Sequence, residues 1–446
     1  GGVFTIGGSN PSFQRISDAV AVLNIGGGFA PVTLNIRSGT YTEQFSLHEI
    51  PGAGPNAGVT FQSESGDSAS VTITFNNATY DKLYVVELDN AKWVAFRKLG
   101  FRNGTGYYTR IFSLKGALQN IRLENLRLVG ESTTSSGTDK AILYGDNLFI
   151  EEFTLKNNVF ENGSYGIYWG GLYDRYSKKV VLESNTFLNS YVSAVFLRYM
   201  EDCRGEKNNI QTQSAYYNTI GINLFYWKGL GQIHSNRLAR FRRGEGISME
   251  SFTGTAQNPI LVYNNFVQAE GTEEFRGIDF RYNYFTYLLH NTARNLNVHN
   301  ASKAFYAYSG RDNRLINNIF VNSGGGYAFE IGSAGIFAES DYNDLYATGD
   351  YLAFQTIKIA NLADWQAASG LDAHSLSVDP RFTTDTTFAV TQIGLNKAGA
   401  PAGISTDMEG QPRDPQKPDI GADEFTPSAI DAGLEMLETL VFPFPV

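Results

Sequence analysis

Two carboxylates and one guanidinium stand out in the sequence as groups that could act together. Glu250 and Asp279 are 29 positions apart, and Arg281 follows Asp279 by two. A pair of carboxylates can hydrolyse a glycosidic bond, and a neighbouring arginine holds their pKa values down, which suits a base better than an acid. We therefore predict Asp279, Glu250 and Arg281 as catalytic residues, on condition that the fold brings them together.

Elimination on a uronic acid is the alternative chemistry. It requires a cation that neutralises the carboxylate of the substrate and a base that removes the adjacent proton. Arg198 or Arg281 offers the cation, and Lys303 or Tyr306 offers the base. A further charged series is interpreted as an ion-pair ladder; its members are Glu245, Arg276 and Lys303.

Aromatic and arginine side chains at corresponding places predict a surface that binds an extended polysaccharide. Aromatic faces stack on sugar rings, and guanidinium groups bind carboxylate or sulfate through paired hydrogen bonds. The predicted substrate-binding residues are Tyr168, Arg198, Phe225, Tyr306 and Tyr308. The alternative interpretation is a set of cross-strand pairs that only stabilises a sheet.

These residues lie in repeated segments, which a series of asparagines makes visible. Successive members are separated by 27, 24, 27, 29, 26 and 27 residues. We predict that their buried amides stack at one corner of a solenoid and hydrogen-bond to their counterparts above and below. The predicted structural residues are Asn158, Asn185, Asn209, Asn236, Asn265, Asn291 and Asn318. Asn125 and Asn343 extend the series less regularly.

A second strand follows each asparagine and sets the predicted register. Seven segments begin with Gly or Ala and carry apolar residues at their second and fourth positions, as in GISME at 246–250 and GIDFR at 277–281. With a period of two, the apolar positions face inward and the others face solvent. Coils of about 27 residues made of short strands, without a helical pattern, predict an all-β parallel β-helix.

The chain is expected to have capped ends, because an open coil exposes unpaired strand edges. The predicted segments are an N-terminal cap at 1–44, the parallel β-helix at 45–345, a C-terminal cap region at 346–425, and a linker or the start of a following module at 426–446. In the N-terminal cap, Phe13, Ile16, Val20 and Leu23 share one helical face. A short helix is predicted at 361–369 in the C-terminal cap region.

Composition and charge exclude several classes of protein. The 446 residues include 35 Lys plus Arg against 45 Asp plus Glu, and the net charge of −10 argues against nucleic acid as a partner. No stretch reaches the roughly 18 apolar residues of a membrane span. The single cysteine, Cys203, forbids an intrachain disulfide framework. We expect no metal and no cofactor; residues 340–350 offer oxygen ligands without the spacing of a calcium loop, so calcium there stays an alternative.

Both ends of the chain resemble known β-helix proteins. The runs SFQRISDAVAVLN and NIRSGTYTEQF are similar to the opening of right-handed β-helix carbohydrate-active proteins, including pectin methylesterases and pectate lyases. Asp407, Gly410, Arg413 and Asp419, which lead into IGADEF at 420–425, resemble the closing motif of secreted Bacteroidetes-type β-helix proteins. The resemblance implies a right-handed parallel β-helix of the pectate-lyase-like type. It also implies secretion or display at the cell surface, with further modules and a type IX sorting signal in the same polypeptide.

The resemblance does not extend to a catalytic motif. The sequence has no Gln-Asp-Thr-Leu segment of the esterases, no paired-aspartate motif of polygalacturonases and no arginine motif of pectate lyases. Two functions therefore stay open. The domain binds a polysaccharide along one strand face and cleaves it as a lyase or glycoside hydrolase, or it is a non-catalytic adhesin or structural stalk module of a large surface protein.

Overall fold

The strands wind into a long parallel solenoid. The computed structural model describes residues 1–103, 110–384 and 389–427. It is a parallel β-solenoid of about 13 turns with about 27 residues per coil, and its described residues include two short α-helices. The predicted all-β parallel β-helix is confirmed. The linker or following module expected at 426–446 lies, from residue 428 onward, outside the described residues.

Each coil contributes up to three short strands, so the solenoid has three faces. Two faces belong to one continuous sheet of 26 strands, and the third is a sheet of 12. The first face consists of Phe45–Leu47, Tyr84–Asp89, Arg110–Lys115, Leu143–Gly145, Tyr165–Gly170, Ser193–Glu201, Ile220–Lys228, Gly244–Glu250, Phe275–Tyr284, Lys303–Arg311, Tyr327–Ile331 and Ala353–Gln355, with Ile357–Ile359 added antiparallel at its end.

The other two faces complete the coils. The second face consists of Gly2–Ile6, Val32–Ile36, Val59–Ser63, Lys92–Arg97, Ala117–Glu124, Phe149–Lys156, Ser177–Glu183, Arg204–Glu206, Gln232–His234, Ile260–Tyr263, Thr286–Leu289, Asn313–Ile316 and Phe337–Asp341. The third face consists of Gly39–Thr42, Val71–Phe75, Gly100–Asn103, Arg127–Val129, Val159–Glu161, Thr186–Leu188, Asn209–Gln211, Arg237–Phe241, Phe266–Ala269, Thr292–Asn295, Ile319–Asn322 and Asp344–Ala347. Parallel pairing thus begins within residues 1–44, between the first two strands of the second face.

A helix stands near the N-terminal end, as predicted. Helix α1 spans Ile16–Gly26 and buries one apolar side. The backbone N–H groups of Ile16 and Ser17 donate to the Glu43 carboxylate at 3.1 and 2.8 Å, which satisfies donors that a helix start leaves without partners. Phe13 lies before the helix rather than on it, in a short bridge with the first strand.

The inward side chains of the first face form two continuous apolar columns. Every member is at most 5% exposed, which confirms the predicted in/out alternation. The first column is Ile167, Val195, Ile222, Ile247, Ile278, Phe305 and Phe329. The second column is Trp169, Leu197, Leu224, Met249, Phe280, Ala307 and Ile331. Removal of this apolar surface from water is the main stabilising contribution to the solenoid.

Small residues start these strands because the coils approach each other closely there. Glycines at this place have ordinary backbone angles, so a left-handed conformation is not the reason for their use. A Cβ on Gly221, Gly246 or Gly277 would press against the backbone carbonyl of the corresponding residue in the next coil. A larger side chain would therefore push two coils apart.

The buried asparagine column is present, with one correction. From Asn158 onward, each Nδ2 donates to the Oδ1 of the next member at 2.9 to 3.0 Å, and each side chain is buried. The members are Asn158, Asn185, Asn208, Asn236, Asn265, Asn291, Asn318 and Asn343. The prediction of Asn209 was wrong, because its side chain points outward from the third face and Asn208 fills the place. Asn125 lies outside the column, at a corner with a φ of 56°.

The C-terminal segment forms a short helix and then returns along the side of the solenoid. Helix α2 spans Leu362–Ser369, and its N-cap Asn361 accepts the N–H of Asp364 at 3.0 Å. Further along, Asn264 of the solenoid donates to the Thr406 carbonyl at 2.7 Å. The chain between 394 and 427 is therefore attached to the coils by hydrogen bonds.

Arg413 is the centre of the C-terminal motif. Its side chain is 1% exposed and donates to the Glu424 carboxylate at 2.9 Å, the Gly421 carbonyl at 2.9 Å and the Asn264 amide oxygen at 3.1 Å. The Asp407 carboxylate accepts the Gln411 N–H at 2.8 Å. These contacts indicate a structural role for the motif, because its side chains hydrogen-bond within the C-terminal segment and to the solenoid.

Candidate functional site

The outward side chains of the first face form a strip of three rows, and strand pairing confirms the predicted register. Row one is Tyr165, Ser193, Ile220, Glu245, Arg276, Lys303 and Tyr327. Row two is Tyr144, Tyr168, Phe196, Asn223, Ser248, Asp279, Tyr306 and Glu330. Row three is Gly170, Arg198, Phe225, Glu250, Arg281 and Tyr308. We call these rows together the strip.

The half of the strip nearer the N-terminus is aromatic, and its rings cover each other. Tyr168 stacks on Tyr144 at 5.5 Å and on Phe196 at 4.6 Å between ring centroids. Phe225 continues the series at 5.7 Å from Phe196, with a tilt of 45°. Both faces of Tyr168 are therefore occupied by neighbouring rings, and only its edge and hydroxyl remain for a ligand. Phe225 ends the stack, because Glu250 takes the corresponding place in the next coil.

Exposed tyrosines flank the strip and were missed by the sequence analysis. Tyr226 and Tyr282 are 37% and 41% exposed. Both lie within the long strands Ile220–Lys228 and Phe275–Tyr284 of the first face, and each has a φ near 55°, a left-handed conformation that bends the strand at this point. Tyr308 of row three is 42% exposed and packs edge-on against Tyr282 at 5.6 Å. The repeated Tyr directly after row three was the available signal, shared by Tyr199.

Arg198 is held by an ion pair at the aromatic end of row three. Its Nη2 lies 3.1 Å from Asp146 Oδ1, and the two side chains are 32% and 26% exposed. Gly170, the neighbour of Arg198 in the row, leaves space for this pair, because a Cβ there would collide with the Asp146 carboxylate. Arg198 is thus on the strip as predicted, with its charge already partly compensated.

Asp279 lies at the centre of the charged half of the strip and is completely buried. Arg281 donates to its carboxylate through Nε at 2.5 Å and Nη2 at 2.7 Å, and Arg276 donates through Nη1 at 2.9 Å. This contact with Asp279 raises the pKa of Arg281. With 0% of its side chain exposed, Asp279 cannot reach a substrate in this arrangement. It fixes the positions of the two arginines instead.

The second carboxylate of the cluster is Glu245 rather than Glu250. Glu250 is aligned with Arg281, yet within the described residues it forms no ion pair. Glu245 Oε1 lies 3.5 Å from Arg276 Nη1 and 3.7 Å from Arg281 Nη2. Burial, helped by the nearby charge of Asp279, raises the pKa of Glu245 to about 7.

The pairing of Asp279 with Glu250 as a catalytic couple therefore needs correction. Glu245 and Asp279 share contacts with the same two guanidinium nitrogens, at 2.7 to 3.7 Å. Those shared contacts hold the two carboxylates closer than the roughly 6.5–9.5 Å that an inverting hydrolase leaves for a water molecule. The interpretation of Glu245 and Arg276 as members of an ion-pair ladder agrees with their 3.5 Å contact in neighbouring coils.

Tyr306 supports the cations of the cluster. The charged groups of Arg276, Arg281 and Lys303 lie 4.8, 5.3 and 5.6 Å from the centroid of its ring. Lys303 also forms an ion pair with Glu330 at 2.7 Å. Cation–π attraction over the ring face orients the guanidinium groups. The ring of Tyr306 is therefore in contact with cations of the protein itself. The ring of Tyr308, in row three, is the more exposed one and is accessible to a ligand.

A cavity of about 710 Å³ lies elsewhere, on the third face. Its lining includes Thr72, Arg102, Arg127 and Glu161, none of which belongs to the strip. An ion pair between Arg127 and Glu161 at 3.4 Å crosses it. In the described part of the chain, no three His, Cys, Asp or Glu side chains converge as metal ligands, and no helix there is long and apolar enough to cross a membrane.

Comparison with solved structures supports the fold. No protein-family model matches the sequence, and no curated protein matches it. The structure of XylC in complex with xylose is 11% identical, covers 96% of this chain and 99% of that chain, and has a TM-score of 0.51. At this identity the likeness shows the fold alone. The two chains share this fold over almost their whole length.

Two further solved structures match less closely. A mannuronic acid specific polysaccharide family 6 lyase from human gut microbiota is 12% identical, over 85% of this chain and 92% of that chain, with a TM-score of 0.43. The pectin methylesterase of Aspergillus niger is 18% identical, over 59% of this chain and 85% of that chain, with a TM-score of 0.37. At these TM-scores neither likeness adds to the assignment of the fold.

Proposed function

We propose that this domain binds an extended polysaccharide along the strip. The observation that carries the proposal is the alignment of aromatic and charged groups on the outer side of one face over seven consecutive coils, with several of them exposed. Soluble proteins rarely expose such a continuous patch without a ligand for it. Rings with an open face or edge, such as Phe225, Tyr282 and Tyr308, suit stacking on sugars. The structure sharing the fold over almost the whole chain is described as a complex with a sugar, xylose.

Cleavage of the bound polysaccharide is the second part of the proposal. It relies on Glu245, which is 12% exposed beside two arginines and has its pKa raised to about 7. A group of that pKa can accept and release a proton near neutral pH, as general acid–base catalysis requires. Elimination fits this cluster better than hydrolysis, because the second carboxylate, Asp279, is buried and a guanidinium can neutralise a substrate carboxylate.

A stalk or adhesin role is the alternative, and one observation favours it. The rings of Tyr144, Tyr168 and Phe196 stack on each other, so part of the aromatic row is explained by cross-strand stabilisation alone. We also propose that the domain acts outside the cell or on its surface, in a larger bacterial polypeptide. Support for this is the sequence resemblance at the two chain ends; the Bacteroidetes origin and the type IX signal rest on it entirely.

Binding can be tested by affinity electrophoresis in gels that contain one soluble polysaccharide each. The panel is xylan, alginate, polygalacturonate, methyl-esterified pectin and a sulfated galactan. We expect retardation by at least one of them and a loss of about tenfold in affinity for the double variant Phe225→Ala/Tyr308→Ala. Phe29→Ala is the matched control, since Phe29 is 80% exposed but lies far from the strip along the chain.

The outcome separates the candidate functions. Unchanged mobility in every gel, or full affinity in the double variant, would contradict polysaccharide binding by the strip. Incubation of the same panel with the protein then tests cleavage: unsaturated, ultraviolet-absorbing ends indicate elimination, and new reducing ends without them indicate hydrolysis. Binding without either product supports the adhesin alternative.

A further inference from the structure

We propose that Arg276 and Arg281 form a subsite for the anionic group, carboxylate or sulfate, of an acidic polysaccharide. The inference rests on the proposed function and narrows it from polysaccharides in general to acidic ones. Arg281 is in the middle of row three, between Glu250 and Tyr308. A ligand that follows the strip therefore passes directly over it.

Both guanidinium groups have donors to spare. Arg281 uses Nε and Nη2 for Asp279, and its Nη1 makes no hydrogen bond to any residue that the structure describes. Arg276 uses Nη1 for Asp279 and reaches Glu274 only at 3.5 Å through Nη2, while its Nε has no partner among the same residues. The two side chains are 32% and 26% exposed. Their free N–H groups are thus available to a ligand from solvent.

The arginines are held in place before any ligand arrives. Asp279 is fully buried and contacts both of them, and the ring of Tyr306 lies under both, as described above. An arginine that is already ordered loses less conformational entropy when it binds an anion than a free surface arginine does. Planar guanidinium groups also match carboxylate and sulfate through paired hydrogen bonds.

The charged groups around Arg276 and Arg281 do not prevent an additional anion from binding. Lys303 is paired with Glu330, and Asp279 is shared by the two arginines. Glu245 retains its proton over part of the neutral range, because burial raises its pKa to about 7. Glu274 is 44% exposed, so solvent screens its charge. Glu250 is aligned with Arg281 in row three but forms no ion pair among the described residues. Asp279 is the carboxylate that lies within 3 Å of both arginines, so their unused N–H groups can still bind an anion.

The test uses pairs of ligands that have the same sugar backbone and differ in whether they carry anionic groups. Affinity is measured by calorimetry for polygalacturonate and for its methyl-esterified form, which has the same backbone with uncharged carboxyl groups. A sulfated galactan and its desulfated form make the second arm, and a preference only in that arm assigns the anion as sulfate. We expect the wild type to prefer the charged form by about tenfold or more, the range of one charge-assisted contact. The preference should decrease as salt is added.

Variants assign the preference to residues. Arg281→Gln and Arg276→Gln should reduce the preference to less than about threefold, because affinity for the charged form decreases much more than affinity for the uncharged form. Arg204→Gln removes one positive charge from another face and should leave the preference unchanged. Thermal unfolding of each variant shows that it is folded before it is titrated.

Each result has a distinct meaning. Equal affinity for charged and uncharged forms would leave polysaccharide binding intact and overturn the acidic subsite. A preference that persists in both arginine variants would also overturn it, because the anion would then bind elsewhere. Failure of every ligand to bind would refute the proposed function together with the subsite.

Discussion

Two vertical arrays of polar groups run through the same solenoid, and they differ in how completely their hydrogen bonds are satisfied. In the asparagine column, Asn236 donates through Nδ2 to Asn265 Oδ1 and to the Gly205 carbonyl, both at 2.9 Å. Its Oδ1 accepts two bonds from Asn208. In the charged cluster of the strip, by contrast, Arg281 keeps a guanidinium nitrogen without a partner among the described residues.

This difference teaches how to separate a stabilising array from a recognition surface in a repeat protein. Both arrays come from the same repetition, so periodicity cannot tell them apart. A buried polar group must find its partners inside the protein, because an unsatisfied one costs about 1–3 kcal/mol. A half-exposed group can leave donors to water and later exchange water for a ligand. Unused donors on ordered side chains are therefore the sign of a site.

The largest effect is expected from interruption of the column. Asn236→Leu keeps the shape of the side chain and removes all four of its hydrogen bonds, which leaves the buried donors of Asn208 and the Gly205 carbonyl without partners. We expect a loss of about 3–5 kcal/mol in the free energy of unfolding. The urea midpoint followed by circular dichroism measures it.

Asn209→Ala is the control for that experiment. Asn209 is adjacent to the column member Asn208, but among the described residues its side chain accepts only a 3.5 Å bond from Gln211. We expect this substitution to lower stability by less than about 1 kcal/mol. If the two variants shifted the urea midpoint equally, the column would not be the stabilising element described here.

A smaller effect is expected at the anchor of the charged cluster. Asp279→Asn removes a buried negative charge that contacts two arginines, and loss of one partner of a fully buried pair costs about 3–5 kcal/mol. Arg276 and Arg281 are 26% and 32% exposed, so water can solvate them and the expected loss falls to about 2 kcal/mol. Asp146→Asn makes the same change to the more exposed partner of Arg198 and should lose less. An equal loss at both sites would mean that burial of Asp279 adds nothing.

The sequence predicted the strip well because a period of two and a period of about 27 residues are properties of the chain. The columns through Ile247 and Met249 follow from these periods alone. The same sequence pattern could have identified Asn208 in place of Asn209. An apolar residue follows most column members two places later, and Ile210 does so for Asn208, whereas Gln211 follows Asn209.

The contacts of Glu245 could be predicted only in part. Its ion pair with Arg276 follows from the register, because the two residues are aligned in row one. Its 3.7 Å contact with Arg281 crosses from row one to row three, and it depends on side-chain length and on the attraction of the guanidinium groups, neither of which has a period. Spacing therefore selected Glu250, the residue aligned with Arg281, as the second carboxylate.

The smallest effect, a dependence on pH, tests whether Glu245 belongs to the charged cluster in the way described. Burial raises its pKa from the usual 4.5 to about 7, so the folded protein binds this proton more tightly than the unfolded chain does. The resulting stabilisation is complete below about pH 4.5 and is lost as the pH rises through about 7. Glu245→Gln removes the titration, so its stability relative to the wild type should increase by about 1–2 kcal/mol between pH 6 and pH 8. Urea midpoints at several pH values measure this, with Glu250→Gln in the same strand as the control for charge. A constant difference between Glu245→Gln and wild type across that range would mean that the Glu245 carboxylate is solvated by water. The difference between the fully hydrogen-bonded asparagine column and the charged cluster would then depend on the unused donors of the arginines alone.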